Sequence, residues 1–194
     1  LAETAGYSER LVRKAEAGGS LHADTIEVLA SALSTDEQIV HPEDLTAQPR
    51  QLAAAILRGY TQSERQLVAN THTILSEDMT CWCAGDPEHV PFAGQFSSID
   101  GFDRFWGVIF SLLVRPDKQY YRPRLLVDGN EVIAIGEEQM QLDGAPAPNR
   151  LWLMYRMIFE RGKLIRFEDY YDTRNGTDYF VNHRDLVKRL MNRQ

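Results

Sequence analysis

Residues 151–172, LWLMYRMIFERGKLIRFEDYYD, constrain this chain more than any other stretch. Two β-rich runs flank Glu160-Arg161-Gly162-Lys163, and Gly162 can take the positive φ of a tight turn, so the segment predicts a hairpin. Side chains alternate across a strand. On the second run Leu164, Arg166, Glu168 and Tyr170 therefore share a solvent-like face, and Ile165, Phe167, Asp169 and Tyr171 share an apolar one. Asp169 is the exception on that apolar face. A carboxylate taken out of water must be paired, hydrogen-bonded or protonated, so a site is expected around it. On the first run Leu151, Leu153, Tyr155, Met157 and Phe159 continue the inner wall, while Trp152, Met154 and Ile158 surround Arg156 on the other face. An apolar outer face on an antiparallel sheet needs a cover, and a homodimer contact through Trp152, Met154 and Ile158 is expected.

The preceding segments extend the same layout. A strand over 131–142, entered through the turn Asp128-Gly129-Asn130, places Val132, Ala134, Gly136, Met140 and Leu142 on one face with Glu138 as a second misplaced carboxylate. Another strand is expected over 121–127. Ser97-Ser98-Ile99-Asp100 starts a helix whose Phe102, Phe105, Trp106, Ile109, Phe110 and Leu113 form one stripe, read as core, before Pro116-Asp117 ends it. Earlier, Leu52, Ile56 and Tyr60, then Leu67, Val68, Thr71, Ile74 and Leu75, make two helical stripes beginning near Pro49. A short strand over 79–84 puts Cys81 and Cys83 on one face, read as buried core, and 85–91 reads as loop. Residues 175–194 close the chain with a helix whose Arg184, Lys188, Arg189 and Arg193 are read as a solvated face. The fold class is α+β: a cone-shaped, curved antiparallel sheet with covering helices over residues 49–194.

Residues 1–35 are a separate helical segment and 36–48, containing Pro42, a linker. Residues 1–5 read as the end of a helix, Gly6-Tyr7 as a turn, Ser8 as the cap of a second helix to about Ala17, and Gly18-Gly19 as its stop. A third helix carries Ile26, Leu29, Ala30 and Leu33. The chain opens at Leu1 already inside a helical pattern, so a preceding helix is expected upstream.

Bulk properties limit the function classes. The net charge of −7 argues against broad nucleic-acid affinity over the whole surface, though a local basic patch suffices for binding. No apolar run reaches a membrane span, and two closely spaced cysteines suit a reduced, cytoplasmic protein. The five histidines, His22, His41, His72, His89 and His183, lack any ligand spacing, so neither a metal nor a cofactor is expected.

Two resemblances add to this reading. Ala2-x-x-Ala5-Gly6-Tyr7-Ser8 with Val12, Ala15 and Glu16-Ala17-Gly18, followed by Ile26-x-x-Leu29-Ala30-x-x-Leu33, resembles the helix-turn-helix of the lambda repressor/Cro-like (XRE-type) regulators. That resemblance implies DNA contact through Ser8, Glu9, Arg10, Arg13 and Lys14 in the major groove. Residues 1–35 hold three Arg/Lys against five Asp/Glu, and only the 8–19 segment is slightly basic. Pro91-Phe92-Ala93-Gly94-Gln95-Phe96, Ile99-Asp100-Gly101-Phe102-x-x-Phe105, Gly162-Lys163-Leu164-Ile165-Arg166 and Tyr170-Tyr171-Asp172-Thr173 resemble the SnoaL-like polyketide cyclase/ketosteroid isomerase group of the nuclear transport factor 2-like fold. This implies a pocket between sheet and helices lined by Trp106, Glu138, Met140, Leu153, Tyr155, Phe167, Asp169 and Tyr171.

Asp169 stands where limonene-epoxide-hydrolase-like members carry a catalytic Asp, but Gly136 stands where their Arg would be. Asp169 or Glu138 as base with Tyr155 or Tyr171 as donor would suit isomerase chemistry. The expectation is a DNA-binding regulator with a small-molecule-sensing cone rather than an enzyme. The alternatives are a cyclase, isomerase or hydrolase, and a cone used only to dimerise.

Overall fold

The structure, a computed structural model, describes residues 1–17, 21–46, 48–146 and 149–193. Its centre is a curled sheet in the order β2-β1-β7-β6-β5-β3, with β4 also pairing β5. The strands are β1 (Leu75–Cys83), β2 (Gly94–Ser97), β3 (Leu113–Val114), β4 (Arg124–Asp128), β5 (Glu131–Leu142), β6 (Asn149–Glu160) and β7 (Lys163–Tyr171). One pairing corrects the expected all-antiparallel sheet: β1 runs parallel to β7, so the sheet is mixed. β2 and β3 arise where no strand was expected.

The β6–β7 hairpin forms where the sequence places it. Glu160 pairs with Lys163, and Arg161 and Gly162 both take left-handed φ, 50° and 74°. That geometry matches the twist of the flanking strands. The face assignment on β7 fails at its start. Phe159 pairs with Leu164 but Ile158 pairs with Arg166, so Ile165 is an extra residue. A bulge reverses the parity of everything before it. Leu164 is therefore buried in the core and Ile165 is displaced outward, while Phe167 and Asp169 stay inside. Glu168 points outward as expected but is buried rather than solvated. On β5 the alternation is unbroken, and Val132, Ala134, Gly136, Glu138, Met140 and Leu142 are all buried.

Helix α6 (Ser98–Leu112) lies across the concave face and buries Phe102, Phe105, Trp106, Ile109 and Phe110. Phe102 and Phe105 are completely buried, and each contributes about 2 kcal/mol of burial free energy. The helix ends before Pro116, because Leu113–Val114 leaves it to pair with β5. Before the sheet, α4 (Gln48–Arg58) runs into a π-helical turn over Gly59–Ser63, and α5 (Leu67–Thr71) follows. After β7, Asp172 caps α7 (Thr173–Asn182) by accepting from Asn175 N–H at 3.1 Å. α7 and α8 (Arg184–Met191) are two helices broken at His183, where one had been expected.

The amino-terminal arm is helical as read: α1 (Ala2–Ala5), Gly6 left-handed at φ 68°, Ser8 capping α2 (Glu9–Glu16), then α3 (Ala23–Leu33). The stop read at Gly18-Gly19 lies outside the described residues. The linker holds one 3-10 turn, Pro42–Leu45, whose Asp44 fills the space over Gly129 at the β4–β5 turn. Gln48 covers Gly162 at the other hairpin tip, and Arg161 reaches Glu27 of α3 at 3.8 Å. Among the described residues no helix is long and apolar enough to cross a membrane.

Candidate functional site

Strand register brings chemistry into one cross-sheet row. Cys83 of β1 aligns with Asp169 of β7, Asp169 with Tyr155 of β6, and Tyr155 with Ala134 of β5. The next row on the same face holds Tyr171, Leu153 and Gly136, and the one beyond it Leu151 and Glu138. Period-two alternation explains why all of these side chains look inward.

Asp169 is only 4% exposed. Its Oδ2 lies 3.8 Å from Cys83 Sγ, and its Oδ1 has no hydrogen-bond partner among the described residues. Burial pushes this carboxyl up to about 7, with only the Cys83 thiol working the other way. Glu138 is fully buried and also raised to about 7 by burial, against the opposing pull of Arg115 and of its hydrogen bond with Tyr60. Tyr60 O–H donates to Glu138 Oε2 at 3.0 Å, and Oε1 is left unpaired among the described residues.

Tyr60 comes from the π-helical turn after α4, and such turns re-aim side chains out of the regular helical stripe. Its ring centroid lies 5.2 Å from Trp106, 5.7 Å from Tyr121 and 5.8 Å from Tyr155, forming the floor of an aromatic cage. Arg115 stacks 4.1 Å over the ring and donates to the Tyr60 carbonyl at 2.6 Å and to Glu64 at 2.9 Å. Burial, and then the charge of Glu138, keep the Tyr60 phenol protonated far above the ordinary tyrosine range, against the opposing pull of Arg115 and Tyr155.

Above this floor is a hollow with a cavity volume of about 30 Å³. It is a narrow slot that two or so waters would fill, and a larger guest requires its wall side chains to turn. Asp169 lines it together with Tyr60, Trp106, Tyr155 and Tyr171, and Tyr179 and Phe180 of α7 close it. Tyr171 is wedged between two glycines. A Cβ on Gly85 would come within 2.5 Å of its hydroxyl, and one on Gly176 would overlap its ring. The hydroxyl of Tyr171 and the indole N–H of Trp106 are buried with no partner among the described residues, like Asp169 Oδ1.

Of the ligand-contact residues expected from sequence, Trp106, Met140, Leu153, Tyr155, Asp169 and Tyr171 line the hollow. Glu138 and Phe167 do not. Glu138 is engaged by Tyr60, and Phe167 is packed between Phe102, Trp106 and Tyr155. Sequence reasoning missed Tyr60, which sat on a helical stripe given no part in a site, and Cys83, whose partner is 86 residues away. It also missed Tyr179 and Phe180; an aromatic pair about two turns into the helix capped by Asp172 was the available signal. At Gly136 a Cβ would lie 3.1 Å from Pro123 Cα and 3.2 Å from the Tyr121 ring, so an arginine there, as in an epoxide hydrolase, would need both neighbours to shift.

The residues read as a DNA face lie on or beside α2. Ser8 accepts from Leu11 N–H at 3.4 Å, Arg13 pairs with Glu9 at 3.1 Å, and Arg10 and Lys14 are exposed, while Val12 is buried. On the outer sheet face Trp152 is 60% exposed, and Met154 and Ile158 are half-buried. Trp82 and Tyr170 lie beside them with ring centroids 5.1 Å apart.

Fold and hollow together define a nuclear transport factor 2-like α+β cone. Among solved structures the chain is similar to a nuclear transport factor 2-like protein from Burkholderia xenovorans, with a TM-score of 0.58 at 12% identity over 70% of this chain and 97% of that one. It is also similar to TerC co-crystallised with polyporic acid, with a TM-score of 0.57 at 16% identity over 70% and 99%. A nuclear transport factor 2-like protein of unknown function from Burkholderia pseudomallei gives 0.56 at 14% over 70% and 98%. No protein family matches the chain by sequence. No curated protein does so either.

Proposed function

We propose that the chain is a one-component regulator in which the cone takes up a small, largely apolar molecule and the amino-terminal arm carries the response to DNA. The observation that supports it is the set of unpaired polar atoms at the hollow: Asp169 Oδ1, the Tyr171 hydroxyl and Trp106 Nε1. Buried polar groups are hydrogen-bonded as a rule, so these three unpaired atoms support the reading that a guest's oxygen meets them. Apart from Asn149 the remaining wall is aromatic and aliphatic, and among the described residues no lysine, arginine or histidine lines it, which suits a neutral carbonyl or hydroxyl compound. Exposed Arg10, Arg13 and Lys14 on α2 face a major groove in this reading. The Glu27–Arg161 contact joins the arm, and Asp44 of the linker and Gln48 of α4 join the segment that follows it, to the two hairpin tips of the strands bearing the site. A second copy covers the Trp152, Met154 and Ile158 face and pairs two half-sites.

The test has two arms. A guest at a hundred times its Kd stabilises the folded chain by about 2.7 kcal/mol, read as a raised melting temperature, and Asp169→Leu abolishes the rise. Salt-dependent binding to duplex DNA falls several-fold in Arg13→Ala. A library of neutral ketones and phenols that never moves the melting temperature defeats the sensor, and duplex binding indifferent to Arg13→Ala defeats the DNA arm.

A second reading, an isomerase-type enzyme, draws on the same two carboxyls raised to about 7, where one group can take and return a proton. Turnover that Asp169→Asn removes while the guest still binds would favour it over the regulator.

A further inference from the structure

Cys83 is a buried thiol that neither reading above employs. It aligns with Asp169 across the β1–β7 pair, and Ala84 N–H of the same strand end donates to the Asp169 backbone carbonyl at 2.9 Å, which fixes the two residues side by side. The one S–H proton has two acceptors in reach, the Ala84 carbonyl oxygen at 3.5 Å and Asp169 Oδ2 at 3.8 Å. Oδ2 has no other partner within hydrogen-bond distance among the described residues. Oδ1, on a side chain lining the hollow, has none at all.

We propose that Cys83 is a positioning residue that holds Asp169 Oδ2 in both protonation states and so keeps Oδ1 turned to the hollow for the guest. The role rests on the reading of Asp169 as the guest-facing carboxyl. When Asp169 is neutral, its O–H on Oδ2 donates to the sulfur and the S–H turns to the Ala84 carbonyl. When Asp169 ionises, the S–H swings to Oδ2. One proton leaves Asp169 to solvent or guest, and no bond to sulfur changes.

A thiol is a weak donor and a weak acceptor, so it anchors Oδ2 without forcing the carboxyl into its charged form. An arginine or backbone N–H in the same place would do the opposite, as Arg156 and Arg166 do for Glu168 on the other face. The titratable groups that sense Asp169 are Cys81 and Cys83 from β1, Tyr121 from the segment before β4, Tyr155 from β6 and Tyr171 from β7. None of them is a cation. Burial, together with the charge of Asp169, keeps both thiols protonated well above their ordinary range, so Cys83 acts as a neutral S–H and not as a nucleophile.

The test is infrared difference spectroscopy on the full chain without any guest, titrated through the ionisation of Asp169. Cys83→Ser and Asp169→Asn identify the S–H and carboxyl C=O bands. The S–H band is expected to shift with the same midpoint as the loss of the Asp169 C=O band. Cys83→Ser, which supplies a stronger donor, is expected to lower that midpoint by about one pH unit, a tenfold change in proton affinity. Cys83→Ala is expected to raise it, and Cys81→Ala to leave the S–H response of Cys83 in place. An S–H band that stays flat while Asp169 titrates overturns the proposal, and the unsubstituted protein alone can show this if a variant fails to fold. A cone that binds no small molecule counts against the guest reading and leaves these bands where they are.

Discussion

Glu168 and Asp169 are neighbours in sequence, both almost wholly buried at 2% and 4% exposure, and they lie on opposite faces of β7. On the convex face burial works to raise Glu168, but hydrogen bonds from Tyr170 at 2.9 Å, Arg156 at 3.2 Å and Arg166 at 2.5 Å outweigh it and hold this carboxyl below its ordinary range. Arg156 is itself clamped by Glu131 at 2.7 Å and 2.9 Å, so the convex charges form a network. On the concave face Asp169 has one thiol and an unpaired oxygen, and burial raises it to about 7. The same strand thus carries a charged carboxylate that ties the sheet together and a carboxyl kept near neutrality at a hollow. The comparison teaches that partners, rather than burial alone, decide which buried acid is structural and which is left for chemistry.

The largest test of this contrast is the pH dependence of stability. Asp169 ionises at its ordinary 3.8 in the unfolded chain and at about 7 in the folded one. Between those values the folded state holds the extra proton, so stability falls as pH rises, by up to about 1.4 kcal/mol per unit for this group. Glu138 adds a fall of the same sign between 4.5 and about 7. Glu168 has the opposite sign: its contribution is present above 4.5 and is lost as the pH falls through its depressed folded value. Urea unfolding across this range is expected to show the decline, and Asp169→Asn to remove about half of it. A slope indifferent to Asp169→Asn would erase the difference between the faces.

A smaller loss is expected when the convex network is opened. Arg156→Ala strips Glu168 of one partner and leaves Arg166 and Tyr170; because Arg156 is partly exposed, the cost is roughly 2 kcal/mol rather than that of a fully buried pair. Denaturant midpoints would read it, and a loss that is full above the ordinary glutamate value and fades as the pH falls through the depressed value of Glu168 would identify the lost ion pair. On the concave side Gly176→Ala pushes a methyl into the Tyr171 ring and is expected to cost about 1–2 kcal/mol. Its sharper readout is near-ultraviolet circular dichroism, since Tyr171 must leave its slot. Smallest of all, Trp152→Ser is expected to change protomer stability by no more than about 0.5 kcal/mol, because Trp152 is mostly exposed. It should still convert a sheet-to-sheet dimer to monomer in sedimentation at fixed concentration.

Much of the layout was legible in the chain because it depends on local periodicity. The β6–β7 turn, the alternation on β5 and the aromatic stripe of α6 follow from spacing alone, as does the inward aim of Asp169 and Glu138. Ser8 announces the start of α2 for the same reason, since a cap acts on N–H groups within three residues, whereas the Asp172 cap starts α7 two residues before the expected 175. What failed was parity and partnership. The bulge at Ile165 put Leu164 inside, a one-residue event with no composition of its own. Glu168 read as solvated because the arginine that holds it from β6 becomes its neighbour only once the hairpin is paired.

The amino-acid sequence by itself determined that a two-faced sheet would carry two acids on its greasy side, because side chains in a strand must alternate. It determined too that a short helical arm would precede that sheet. Only the tertiary structure decided their different fates. It turned Tyr60 onto Glu138 through a π-helical turn, set a thiol from a distant strand behind Asp169, and closed the slot with Tyr179 and Phe180. These outcomes depend on strand order and crossover geometry, which bring together residues that no local pattern links.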